Sequence, residues 1–129
     1  MARKKGKGTE LHVFKGREAR LNRAIFQILA FKGPQTIYNI HKKARTFREL
    51  RNIHYGNVNK RVRALEQTGY VKIVNVQSTK AGFEATVYEL SAKAYLALML
   101  DSISLENLLN RIDEDSATAI VAAIAGLTR

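Results

Sequence analysis

Tyr55–Val74 reads YGNVNKRVRALEQTGYVKIV, and this stretch decides the fold. Val58, Val62 and Leu65 stand at i, i+4 and i+7, so one apolar stripe faces a core along a helix from Asn57 to Thr68. Gly69 follows as its C-terminal stop. At about 100° per residue, Gly56, Lys60, Arg63 and Gln67 fall opposite the stripe, with Asn57, Asn59 and Arg61 on its flanks. A single acid, Glu66, interrupts this polar face. Such a surface has the chemistry of a nucleic-acid reader. Arg and Lys reach guanine acceptors or phosphates, and Asn and Gln pair in bidentate fashion with adenine.

Downstream, Val71–Val76 (VKIVNV) and Ala85–Leu90 (ATVYEL) are β-branched and short, and the turn-like Gln77–Glu84 joins them. They predict a hairpin with Lys80 near its tip. Ser91–Leu100 returns to helix, with Tyr95, Leu98 and Met99 as its apolar contacts. Ser104 caps a further amphipathic segment carrying Leu105, Leu108, Leu109 and Ile112. Asp115 or Ser116 caps a last helix with Ile120, Val121, Ile124 and Leu127 on one side. The acids at 113–115 suit the positive end of that helix's dipole, and no metal site is predicted from them.

Upstream, Leu21, Ile25, Ile28 and Leu29 recur at helical spacing between Arg17 and Lys32. Gly33-Pro34 ends that helix, because proline cannot continue the hydrogen-bond ladder. Thr36 is the expected N-cap of a short second helix running to about Lys43, with Ile37 and Ile40 inward. Thr46–His54 is open between an extension of that helix, a separate turn and a long basic connection, anchored by Phe47, Leu50 and Ile53. Met1–Thr9 (MARKKGKGT) is cationic and nearly devoid of apolar residues, which predicts a flexible basic arm, drawn here as residues 1–16.

Composition bounds the function. The chain has 129 residues, one domain's worth and enough for a core. It has no cysteine, which excludes disulfide scaffolds, zinc fingers, iron–sulfur sites and thiol catalysis together. The apolar runs Ala94–Leu100 and Ala119–Leu127 are well short of the ~18 residues of a membrane span, and no signal peptide is visible. The expectation is a soluble cytoplasmic protein, nucleoid-associated, with no membrane contact. The formal net charge is +11, and it is polarised. Residues 21–63 hold 10 basic groups against 1 acid, whereas residues 101–129 hold 2 against 5. The basic half therefore faces a polyanion, most simply nucleic acid.

Three segments, LAFKGPQTIYNIHKKA (Leu29–Ala44), Tyr55–Val74 and VYELSAKAYLAL (Val87–Leu98), resemble the pattern of archaeal winged helix-turn-helix transcription regulators over about residues 20–100. One departure is Thr46–His54, which lengthens the connection between the second and third helices. The resemblance implies a mainly α fold with a β-hairpin wing. It divides the chain into an arm (1–16), a winged helix-turn-helix domain (17–100) and a C-terminal helical extension (101–129) that caps the core or dimerises. It further implies sequence-specific binding of double-stranded DNA, with the third helix in the major groove and the wing on the flanking backbone or minor groove. Asn57, Asn59 and Lys60 would contact bases, and Arg61 and Arg63 would hold phosphates. Lys80 would act from the wing, and Lys42, Lys43, Arg45, Arg48 and Arg51 would widen the positive surface. Regulators of this kind commonly act as homodimers on two half-sites, and no cofactor or small-molecule effector is implied.

Rival readings are an enzyme, an RNA-binding winged-helix protein and a non-specific chromatin protein. The three histidines, at 12, 41 and 54, lie scattered through basic stretches with no phosphate loop or nucleophile elbow, so catalysis is not expected. RNA recognition tends to use exposed aromatics for stacking, whereas most Phe and Tyr here fit core positions, with Tyr38, Tyr55 and Phe83 the exceptions. A chromatin protein would depend on phosphates and groove shape, leaving the asparagines dispensable.

Overall fold

The structure, a computed structural model, describes residues 11–128. Those residues divide into two compact units, one ending at Asp101 and one beginning at Ser102. The first opens with a 3₁₀ turn, His12–Phe14, followed by α1 (Ala19–Lys32), β1 (Gln35–Thr36), α2 (Ile37–Ala44) and a second 3₁₀ turn, Arg48–Leu50. Then come α3 (Tyr55–Gln67), β2 (Val71–Ser78), β3 (Glu84–Leu90) and α4 (Ala92–Ser102). Three helices followed by an antiparallel hairpin make this a winged helix-turn-helix, as the sequence predicts.

The core is built from the stripes that the sequence shows. Ile25, Phe26 and Leu29 of α1, Ile40 of α2, and Val58, Val62 and Leu65 of α3 are almost wholly buried. Phe26 links the layers, with its ring 5.3 Å from that of Phe14 and 5.6 Å from that of Tyr70. Gly69 closes α3 at φ +89°, a left-handed conformation that side-chain-bearing residues rarely adopt. The backbone N–H of Tyr70 then returns to the carbonyl of Leu65 at 2.8 Å.

Several expectations are corrected. Of the arm drawn as 1–16, residues 1–10 lie outside the described residues. Residues 11–16 do not form a loose tail, because Val13 and Phe14 are buried in the core. The hairpin is part of a three-stranded sheet of order β1-β3-β2, since Gln35 and Thr36 pair with Tyr88 and Val87. Two residues are too few for the period of a strand to show. Thr36 is nonetheless the cap of α2, its hydroxyl accepting from the Asn39 N–H at 3.2 Å. On α4 the buried residues are Ala94 and Ala97, with Leu98 packed beside them, while Tyr95 and Met99 are exposed. Ala94, Ala97 and Leu98 stand at i, i+3 and i+4, so the face of α4 that meets the core, and not hydrophobicity, decides which side chains are buried.

Thr46–His54 is a separate basic connection with its own 3₁₀ turn, and Phe47, Leu50 and Ile53 anchor it against the core. It is also tied by polar bonds. His41 Nε2 lies 3.0 Å from the Ile53 carbonyl, and Arg45 Nε donates to the Arg51 carbonyl at 3.2 Å.

The second unit contains α5 (Leu105–Arg111) and α6 (Glu114–Leu127). Ser104 caps α5 as expected. Asp113, and not Asp115 or Ser116, caps α6, its carboxylate accepting from the Ser116 N–H at 2.7 Å. That bond holds the Asp113 carboxyl below its ordinary range. None of the residues of α5 or α6 is buried.

Candidate nucleic-acid interface

The arrangement of α3 decides what the molecule can grip. Its three buried aliphatics fix its rotation, so Gly56, Asn57, Lys60, Arg63 and Gln67 are exposed. Lys60 is exposed with no internal partner among the described residues, which leaves its ammonium available to a base edge or a phosphate. Arg63 Nε donates to Asn59 Oδ1 at 2.9 Å, one turn apart on the same helix. Asn59 is half-buried, and that bond leaves its amide group as the free donor.

Arg61 is a different case. It is half-buried, and its Nε donates to Asn22 Oδ1 at 3.2 Å. Asn22 is buried on α1 and donates in turn to the Val13 carbonyl at 2.8 Å. Arg61 thus ties α3 to α1 and to the opening turn, and only its terminal nitrogens remain for a ligand. The expectation of a simple phosphate-holding cation leaves this structural role out. No sequence pattern marks it, because Asn22 and Arg61 are 39 positions apart.

The remaining cations surround this helix in sequence. Lys42, Arg45, Arg48 and Arg51 are exposed, whereas Lys43 is half-buried. Lys42 Nζ lies 5.9 Å from the Tyr38 ring. Arg48, Glu49, Arg51, Asn52, His54 and Asn57 line an open groove of about 620 Å³ leading to the start of α3. His54 was not singled out from the sequence; an isolated histidine at a loop-to-helix junction gives no signal until the groove exists. At the wing, Lys80 is exposed in a turn closed by the Thr79 N–H to Phe83 carbonyl bond at 2.7 Å.

The acids do not neutralise this surface. Among the described residues the ion pairs are Arg20–Glu49, Arg23–Asp101 and Lys72–Glu89, and none involves α3. Glu49, the one acid in the groove, is drawn to Arg20 at 3.4 Å. No cluster of three His, Asp or Glu able to hold a metal ion forms among the described residues. Nor, among them, is any helix long and apolar enough to cross a membrane. Half of the aromatics proved exposed, more than the three expected exceptions: Phe31, Tyr38, Tyr55, Phe83 and Tyr95.

No protein-family model matches the chain, and no curated protein matches it in sequence. Solved structures do match in fold. Diamide-treated YodB from Bacillus subtilis superposes with a TM-score of 0.52 at 18% identity, over 79% of this chain and 87% of that one. PadR from Bacillus subtilis, solved in complex with operator DNA, superposes with a TM-score of 0.52 at 18% identity. That match covers 83% of this chain but only 60% of the PadR chain. At such identity the likeness establishes the winged-helix fold and nothing finer.

Proposed function

We propose that the chain is a sequence-specific double-stranded-DNA-binding protein, a transcription regulator of the cytoplasmic nucleoid, that lays α3 in the major groove. The observation that carries this reading is the outer face of α3. It is pinned from beneath by three aliphatics, it is cationic and amide-bearing, and among the described residues no acid pairs with its cations. PadR, a chain of the same fold, is seen on operator DNA, which supports duplex DNA as the partner. In this reading Lys60, Asn57 and Asn59 meet base edges, while Arg63 and the terminal nitrogens of Arg61 position the helix on phosphates. Lys80 reaches the flanking backbone or minor groove, and Lys42, Lys43, Arg45, Arg48 and Arg51 extend the positive surface.

The working form is a homodimer joined through the C-terminal helices. Leu109, Val121, Ile124 and Leu127 are all more than half exposed, an unusual state for aliphatics on helices that bury nothing. A two-fold pairing would cover them and offer two copies of α3 to two half-sites. No effector pocket or catalytic activity is part of the proposal.

One observation favours a non-specific architectural role instead: the Asn59 oxygen is already engaged by Arg63, which leaves fewer free base readers. The deciding experiment selects bound fragments from random duplex DNA and follows their affinity with salt. A single recurring motif and a log–log salt slope near −0.9 per phosphate contacted support the proposal. A steep slope with no motif favours the architectural role. A flat slope refutes both.

A further inference from the structure

We propose that Phe83, at the tip of the wing, is an apolar wedge that enters the minor groove of duplex DNA and unstacks a base step there. The inference rests on the DNA-binding reading and deepens it, by naming a contact that reads the deformability of the duplex rather than its base edges.

The fold does not use this ring. Phe83 is 71% exposed, lies outside the core cluster and stacks on no other aromatic among the described residues. It also stands far out along the hairpin. On β2 only Val71 is buried, and every residue from Lys72 to Ser78 is exposed. At about 3.3 Å per residue, the tip projects roughly 20 Å past the last buried side chain of that strand.

The backbone that carries the ring is nonetheless fixed. The Thr79 N–H donates to the Phe83 carbonyl at 2.7 Å, and the Phe83 N–H donates to Thr79 Oγ1 at 3.1 Å. The Gly82 N–H donates to the Thr79 carbonyl at 3.0 Å, and Gly82 takes the bend at φ +87°. Both polar backbone groups of Phe83 are thus engaged. The ring leaves from an anchored base, which reduces the entropy lost on binding.

Charge does not set the wing apart. Val71–Leu90 holds Lys72 and Lys80 against Glu84 and Glu89, so its net charge is zero. Lys72 is paired with Glu89 at 3.5 Å, and Glu84 directly follows Phe83. In a chain of net charge +11, a neutral hairpin has little pull on phosphates. What distinguishes its tip is the apolar ring. With α3 in the major groove, the adjoining minor groove is about 6 Å wide, which admits a single side chain. Apolar side chains inserted there, phenylalanine among them, part base steps and kink the duplex. Lys80, exposed on the same turn, supplies the one charged contact beside the wedge.

The test uses the full chain and an end-labelled mixed-sequence duplex containing flexible TA steps, with bending read by energy transfer. The wild-type protein is expected to bend it by at least about 20°. Phe83→Ala is expected to lose that bend and about tenfold in affinity. Its salt slope should be unchanged, because an apolar contact releases no counterions. Its melting temperature should stay within about 3 °C, since the ring is exposed. Phe83→Leu should keep most of the bend, because leucine also serves as a wedge. A wild-type protein that binds the duplex without bending it overturns the wedge, and so does unchanged affinity in Phe83→Ala. A lowered salt slope or a parallel loss of stability in that variant overturns it too. An equal loss on single-stranded DNA would mean that the ring stacks on unpaired bases, and a changed sedimentation of the free variant that it joins two copies; either overturns the minor-groove assignment. A wild-type protein without duplex affinity refutes the underlying DNA reading, a result distinct from failure of the wedge alone.

Discussion

Asn22→Ala removes two bonds at once. The side chain donates to the Val13 carbonyl at 2.8 Å and accepts from Arg61 Nε at 3.2 Å, from a position that is 4% exposed. A neutral hydrogen bond contributes about 0.5–1.5 kcal/mol, and one to a charged group about 1.5–3 kcal/mol. Arg61 is half-buried, so its bond belongs at the lower end of that range. The variant is thus expected to lose about 2–4 kcal/mol of a total stability that is usually about 5–15 kcal/mol. For a domain of this size that lowers the melting temperature by about 10 °C. Arg61→Ala leaves the Asn22 oxygen buried without a donor and should cost about 1–3 kcal/mol. Urea unfolding of the two single variants and the double variant closes a cycle, and the expected coupling is about 1–2 kcal/mol. The reasoning that assigns Arg61 a structural tie is refuted if the coupling is below about 0.3 kcal/mol, the scatter of independent sites. Arg61 would then be only a surface cation, and its replacement should weaken DNA binding without touching stability.

Lys60→Ala should weaken a selected site more than random DNA, by about 1–3 kcal/mol, whereas Arg63→Ala should weaken all sequences alike; anisotropy titrations on both duplexes check this, and the reverse order would exchange the two roles. Asp113 has a lowered folded-state pKa from its capping bond to Ser116, so its contribution is present above the ordinary carboxylate pKa and lost as pH falls through the lowered one. Carboxyl NMR titration should show that depression, and Asp113→Asn should remove the corresponding pH dependence of α6 stability; an Asp113 titrating in the ordinary range would refute the cap. Val121→Asp with Ile124→Asp should yield a monomer by analytical ultracentrifugation with the winged-helix unit still folded, and an unchanged oligomeric state would place the dimer surface elsewhere.

Much of this was legible in the sequence. The stripe of Val58, Val62 and Leu65 alone orients α3, because helical period and burial leave one rotation that removes those side chains from water. Once that rotation is set, the exposed face with Lys60, Arg63 and Gln67 follows without coordinates. The polarised charge, the hairpin at 71–90 and the cap at Thr36 follow from equally local rules.

Three features were beyond local rules. Strand β1 is too short to have a period and exists only because β3 offers it a ladder. The burial of Ala94 and Ala97 in place of Tyr95 and Met99 depends on which face of α4 meets the core, and the packed core sets that rotation. The third feature concerns the site directly. Arg61 and Asn59 look as free as Lys60 in the sequence, yet Asn22 holds one and Arg63 the other. Residue type and period determine which side chains leave the core. Which of them remain unengaged depends on partners brought alongside, some from distant positions, and folding alone supplies those.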